Sequence, residues 1–474
     1  VRDNRVVGLF IPDDNPQRAE ITKAPSADEL LANYKPQGTA QKIEAFDSSF
    51  DNLDKRTQRI DIGDLNIALL PKQTRGETVT VCMKFKSGDE KNLFGKANLQ
   101  PVAAAMLTRG TKTMTRSEIE DRMTELKMAG SITNFTTTRK NLPAALELVF
   151  DAMHNSIMPQ DEFDQFKKQM QVMIESMRDK PDALAQNAIT QHFNTYPKGD
   201  PRYEYSLDES LEQLNKLTVD QVRAFYKEFG GTSRGEISIV GDFDPKAVEK
   251  IIRNDYAKYV SKAHYAPVVT EYRPVKATRV VIDTPDKENA IIVARSVFPI
   301  NDTAPDAPAL TVANWILGGG TGLSNRLIER LRQKEGLSYG AGSHVRIPAK
   351  GNNGSFVFRA IVAPQNMLQA EASARDVIAK AIKDGFTDQE VEEAKKGLLQ
   401  AMQVARSQDD VVARSWNDKM ENQRTWAFSK KQAEAISKLT TADVNAALRK
   451  YIKPDEITFV LAGDQKKAAQ KKQD

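Results

Sequence analysis

A chain of 474 residues is longer than one hydrophobic core normally spans and points to two or three domains. Its 40% hydrophobic and 28% charged residues are those of a globular protein, and a formal charge of +4, with basic and acidic residues interspersed, gives no nucleic-acid footprint. The single cysteine, Cys82, excludes an intramolecular disulfide and a thiolate metal cluster, and no apolar run is long enough to span a membrane.

The chain opens on the strand-like run Arg5–Pro12, which reads as the last strand of a preceding domain. The Pro-, Ala- and Lys-rich residues that follow read as a linker with one short helix near Ala27–Tyr34, so residues 1–46 are expected to hold a domain end and a linker. Asn66–Leu70 and Val79–Phe85 alternate as half-buried strands, with Cys82 a strand residue. Thr115-x-x-Glu118 is a capping box ahead of Ile119 and Met123. Leu217-Thr218 starts an amphipathic helix, and Glu236–Asp242 reads as an alternating strand ending in Gly-Asp. Arg279–Asp283 and Ala290–Arg295 are further strands. In the next segment Leu323, Leu327, Ile328 and Leu331 fall at helical spacing, so one face of residues 323–334 is expected to be buried. Gly336 is a helix stop before the run Leu337-Ser-Tyr339. Thr387-x-x-Glu390 caps a long helix, Leu439-Thr440 starts another, and Glu456–Asp464 is the last strand.

Two of these segments repeat each other. Leu217-Thr218 recurs as Leu439-Thr440, Val222 as Val444 and Gly241-Asp242 as Gly463-Asp464, always at an offset of 222 residues. Leu107–Thr111 matches Leu317–Thr321 more weakly, at 210. A duplicated domain of about 200 residues accounts for this, with copies at 47–262 and 263–474. Strands meeting in one sheet with helices on one face define an α+β class, here two homologous α/β-sandwich domains preceded by a linker.

Arg332 and Tyr339 stand seven residues apart across the expected helix end. Such a corner can aim a guanidinium and a phenol at one point, which suits a carbonyl oxygen gaining negative charge. The glycine-rich Gly318–Gly322 lacks the lysine of a phosphate loop; its glycines permit close backbone approach at a domain contact or over a peptide, which makes Gly319, Gly320 and Thr321 candidate substrate-binding residues.

The run Leu331-Arg-Gln-Lys-Glu-Gly-Leu-Ser-Tyr339, preceded by Gly318-Gly-Gly-Thr and Ser324-Asn-Arg-Leu, resembles the C-terminal signature of the pitrilysin/insulinase family of zinc metallopeptidases. Met106-Leu-x-x-Gly-Thr111 and Tyr196-Pro-Lys-Gly-Asp-Pro201 are similar to family motifs as well. The resemblance implies two similar α+β domains per half, and two halves that close like a clamshell on an unfolded peptide. It assigns Arg332 and Tyr339 to the half without zinc, where they hold substrate and oxyanion at a zinc site in the other half.

In that family a His-x-x-Glu-His motif precedes the Met-Leu-x-x-Gly-Thr run and supplies two zinc ligands and a base. Here the five preceding residues are Pro101-Val-Ala-Ala-Ala105, with Pro101 and Ala105 at the ligand positions and Ala104 at that of the base. Glu175 falls near the family's third ligand but reads as a helix-surface carboxylate, and His154, His192, His264 and His344 show no ligand spacing. No metal site and no cofactor is therefore expected in this chain. Zinc is expected in a partner half, fused or separate, and the expected partners are that half and unfolded peptides, with no nucleic acid and no membrane. The chain alone is expected to be inactive. The alternatives are a separate non-catalytic subunit of a heteromeric peptidase, or a non-enzymatic structural or peptide-binding module. The expected setting is periplasmic or secreted, in a bacterium.

Overall fold

Two mixed sheets organise the chain, one built from each copy of the repeat. The computed structural model describes residue 26 and residues 43–256, 258–320 and 325–470, so the expected strand at Arg5–Pro12 and helix near Ala27–Tyr34 lie outside the described residues. The first sheet joins β1 (Gln58–Ile62), β2 (Asp64–Pro71), β3 (Thr78–Phe85), β4 (Ala129–Gly130), β5 (Asn134–Thr138) and β6 (Arg234–Gly241) in the order β1-β2-β6-β3-β5-β4. The second joins β7 (Arg279–Asp283), β8 (Ala290–Pro299), β9 (Ser338–Arg346), β10 (Asn353–Val362) and β11 (Thr458–Gly463) in the order β7-β11-β8-β10-β9. In both, the last strand runs parallel to the first long one (β2 with β6, β7 with β11), and the strands beyond it are antiparallel. Apart from β1 the topologies coincide, as a duplication requires. The two-residue stub β4 in the first sheet corresponds to the nine-residue edge strand β9 in the second.

Local chemistry sets the element ends. Thr115, Thr218, Thr387 and Thr440 each close a capping box, their hydroxyls accepting an N–H of the first turn while Glu118, Gln221, Glu390 or Asp443 accepts the cap's own N–H. The last strand starts later than expected, at Thr458, because Pro454–Glu456 forms a 3-10 turn. The chain is already packed where a linker was expected to run to residue 46. Glu44 pairs with Arg56 at 2.6 Å, and Lys72 sits 4.7 Å over the Phe46 ring.

The helices of each copy cover one face of its sheet, but not only one face is covered. The strand β6 is buried from Gly235 to Gly241 and β11 throughout, which departs from the expected alternation. The second faces are covered by exchanged helices. Helix Asp409–Glu421 of the second copy lays Val412, Ala413 and Trp416 on Ala68, Leu70, Cys82 and Val240 of the first sheet. Helix Pro181–His192 of the first copy lays Ala185 and Ile189 on Ile291, Val293, Val460 and Ala462 of the second.

Polar contacts fix both crossings. The Ser238 hydroxyl donates to Asn417 Oδ1 at 2.5 Å, and Asn417 Nδ2 donates to the Cys82 carbonyl at 3.0 Å. Lys84 pairs with Glu421 and Lys86 with Glu236, each at 2.5 Å. A cleft of about 1080 Å3 opens here, and Lys86, Glu236, Glu421 and Lys350 on its wall belong to this network. At the other crossing Arg359 pairs with Asp182 at 2.6 Å and Lys287 with Asp179 at 2.5 Å. The short helix Phe50–Arg56 is a third tie, since Asp54 accepts the backbone N–H groups of Trp426 and Ala427 at 2.9 and 3.0 Å.

Exchange of this kind makes the two copies one folding unit. Trp416 is fully buried, so Trp416→Ala should cost about 3–5 kcal/mol and Ile189→Ala about 2–5 kcal/mol. In urea titrations followed by circular dichroism each variant should still unfold in a single transition. Two separated transitions would contradict the exchange as the link between the sheets.

Lys419 on the exchanged helix generates a pH prediction. Its ammonium lies 3.9 Å over the Trp426 ring, and burial pushes it down from 10.5 to about 8, against the opposing pull of Asp418 and Asp54. Between about pH 8 and 10.5 the folded chain then binds fewer protons than the unfolded chain, so this group makes stability rise with pH across that window. Lys419→Met should raise the thermal midpoint at neutral pH and flatten that rise, as measured by calorimetry.

Candidate functional site

The segment expected to carry the corner begins at Asn325, whose side chain accepts the Ile328 N–H at 2.9 Å, and is α-helical only over Arg326–Ile328. Glu329–Lys334 continues it as a π-helix. Leu327 and Leu331 are fully buried, as the spacing predicts, while Ile328 is half-buried. Leu323, Thr321 and the rest of 321–324 lie outside the described residues. Gly336, at φ +60, ends the helix in a conformation that favours glycine.

Anchoring of this segment is electrostatic. Arg326 makes a two-pronged pair with Glu390, at 2.7 and 2.8 Å, and stands 4.7 Å over the Phe386 ring. Burial works against ionisation of Glu390, but Arg326 and the Thr387 cap outweigh it and hold the carboxyl below its ordinary range. Arg330 is held by Glu335 at 2.6 Å and Lys334 by Glu329 at 2.8 Å. Arg332, between them, is exposed and joins no salt bridge among the described residues.

Tyr339 owes its orientation to a bulge. Along the β9–β10 pair, Ile361 faces Gly340 and Val362 faces Ser338, which leaves Tyr339 as the extra residue. The Ser338 hydroxyl locks this kink by donating to the Ile361 carbonyl at 2.8 Å while accepting the Gly340 N–H at 3.1 Å. The ring is thereby turned out of the ladder and is 70% exposed, at the lip of a shallow hollow shared with Ile361, Ala363 and Gln365. No hydrogen bond joins Arg332 to Tyr339. The structure sets both at one end of edge strand β9, exposed and unengaged. Neither the bulge nor the π-helix was read from the sequence; the pair Ser338 and Gly340 flanking a tyrosine is the signal that could have suggested the bulge.

The glycines do something more specific than form an open loop. Gly318 and Gly319 lie in a π-helix, Trp315–Gly319, packed on β9. A Cβ on Gly318 would meet the Ser343 hydroxyl at 2.6 Å and Leu327 at 2.7 Å, and one on Gly319 would meet the Asn314 amide at 2.3 Å. Asn314 and Ser343 complete the contact, the Ser343 hydroxyl donating to Asn314 Oδ1 at 2.8 Å. The close approach of Gly318 is thus to the same domain's own edge strand, and that of Gly319 to the end of the preceding helix. Gly320, just beyond, is half-buried beside Trp315.

At the place of the family's zinc motif, helix Leu99–Met106 exposes Pro101 and Ala104 and half-buries Ala105. None carries a metal-binding atom, so the residues present do not fit zinc. Pro101 and Ala105 border an apolar pocket of about 590 Å3 whose walls include Phe166, Met170 and Ile174. Glu175 is on the exposed side of its helix, 3.4 Å from Arg178. His154 is 3.3 Å from Asp255, His264 pairs with Asp89 at 2.9 Å, His192 contacts the Lys276 carbonyl at 2.9 Å, and His344 is exposed on β9. Among the described residues no group of three or more His, Cys, Asp or Glu side chains could hold a metal ion. The purified chain, dialysed and analysed by plasma mass spectrometry, should carry no stoichiometric zinc; a ratio near one ion per chain would contradict this reading.

Residues 216–398 match the family model described as the peptidase M16 inactive domain. That match begins late in the first copy and takes in most of the second, and it agrees with the resemblance carried by the motifs there. The chain is 21% identical over 401 residues to the non-peptidase homolog YmxG of Helicobacter pylori, covering 81% of this chain and 89% of that protein. Its fold is that of a peptidase M16 inactive domain from Pseudomonas fluorescens (TM-score 0.73, 20% identity, 86% of this chain and 97% of that one). It is also similar in fold to the periplasmic protease PqqL of Escherichia coli (TM-score 0.64, 14% identity), where 95% of this chain spans 49% of that one. No helix among the described residues is long and apolar enough to cross a membrane.

Proposed function

We propose that this chain is the zinc-free half of a metalloendopeptidase, closing over unfolded peptide and contributing Arg332 and Tyr339 to a zinc site held by a partner half. The observation that carries the reading is the state of that pair. Every other cation on the segment is paired, whereas Arg332 is not, and a locked bulge directs Tyr339 outward. Neither side chain contributes to packing, and together they offer charge and an O–H donor to a carbonyl oxygen that gains charge as it is attacked. Gly319, Gly320 and Thr321 would offer backbone to the peptide, and the metal chemistry would belong to the partner half.

The twofold length of PqqL relative to this chain supports two halves in one polypeptide, and the periplasmic setting of that protease supports a periplasmic or secreted setting here. The name of the Helicobacter relative favours a second reading, in which the chain is a separate non-catalytic subunit or a structural or peptide-binding module. Tyr339→Phe in the assembled enzyme separates them. It should lower kcat about 10²–10³-fold with zinc content unchanged. Unaltered turnover of an unstructured peptide would remove Tyr339 from the mechanism.

A further inference from the structure

The pocket beside Pro101 and Ala105 has no part in the proposed function, and it is built to receive a side chain. Its walls are Val102, Phe166, Met170, Ile174, Leu214 and Leu217. Ile174, Leu214 and Leu217 are buried members of the first sheet's main core, so the floor cannot collapse inward. The rim is also ordered. The Tyr203 hydroxyl is 3.0 Å from both carboxylate oxygens of Glu209, and its ring meets that of Tyr205 edge-on with centroids 5.0 Å apart. Phe94, packed against the rim residue Gly199, remains 53% exposed.

Charge at the rim has one sign. No lysine or arginine lines the pocket. The nearby cations are engaged: Lys198 by Glu209 at 3.0 Å, Arg202 by Asp200 at 2.7 Å, and Arg109, over the Phe166 ring, by Glu162 at 3.0 Å. Glu204 lines the same pocket, is exposed and makes no salt bridge among the described residues.

We propose that this pocket, standing where a catalytic half would hold zinc, binds one apolar side chain of an unfolded peptide whose neighbouring residue is lysine or arginine, the cation meeting Glu204. The proposal rests on the proposed function only for the source of the peptide; binding needs neither zinc nor the partner half.

The test uses the full chain and short fluorescent Gly/Ser peptides carrying Phe-Lys, Ser-Lys or Phe-Glu, with binding read by anisotropy. Phe-Lys should bind at least about tenfold more tightly than Ser-Lys, from burial of the ring, and a few-fold more tightly than Phe-Glu. Ala105→Trp, which fills the pocket, should abolish the preference for Phe with the circular dichroism spectrum unchanged. Glu204→Gln, with circular dichroism as the check on folding because the buried Arg295 feels this carboxylate, should remove the charge preference and keep the preference for Phe. Equal binding of the three peptides, or a folded Glu204→Gln protein that still prefers Phe-Lys over Phe-Glu, overturns the proposal. So does self-association of the chain that Ala105→Trp abolishes without any peptide preference, since the occupant would then be a second copy. If the peptide preferences hold but the chain never assists a zinc-bearing half, the proposed function falls and the pocket assignment stands. Active pairing with no peptide preference removes the pocket assignment and leaves the proposed function in place.

Discussion

Each sheet in this chain has two apolar faces and only one set of local helices to cover them, and that mismatch governs the rest of the structure. The uncovered face of the first sheet exposes Ala68, Leu70 and Val240 to whatever can reach it, and Trp416 of the second copy does. The uncovered face of the second presents Ile291, Val293 and Val460, and Ile189 of the first copy reaches back. Leaving either surface in water would forfeit about 25 cal/mol for each Å2 of apolar area. The domains therefore interlock, each completing the other's sandwich. Asn417 and the Lys84–Glu421 pair add register to this burial, because a displaced helix would strand polar groups inside it.

The interlock leaves edge strand β9 at the rim of the second sheet, with an equivalent in the first copy only two residues long. That difference is the clearest departure between the two copies. In the first copy Pro101 and Ala105 border an apolar pocket. The second elongated its edge strand, bulged it at Tyr339, and set beside it a π-turn whose cations are all paired except Arg332. One copy presents an apolar pocket at this level of the fold; the other presents a pair of exposed polar side chains.

Much of this was legible in the sequence because it depends on local chemistry. The capping boxes at Thr115 and Thr387, the helix starts at Thr218 and Thr440, the Gly336 stop and the strands through Leu69, Val81 and Ile292 follow from residue type and spacing, and the offset of 222 residues marks the duplication. The absence of zinc donors was plain from Pro101-Val-Ala-Ala-Ala105. What stayed hidden is non-local or sub-periodic. Glu236 and Ser238 made β6 look half-solvated, since nothing nearby announces that Lys86 and Asn417 will meet them. A period of 3.6 residues fits Leu327 and Leu331, yet it cannot distinguish an α-helix from the π-helix that sets where Arg332 points. The glycines at 318 and 319 invited reading as a loop because their true partners, Ser343 and Asn314, are recognisable only after the strand is placed.

The central claim is that this chain assists peptide cleavage without performing it, and reconstitution tests that most directly. Cleavage of an unstructured fluorogenic peptide should be measured for this chain alone, for a zinc-bearing M16 half from the same source alone, and for the two together. The account predicts turnover only in the mixture, abolished by a zinc chelator. Cleavage by this chain alone, or a mixture no faster than the zinc-bearing half by itself, would contradict it.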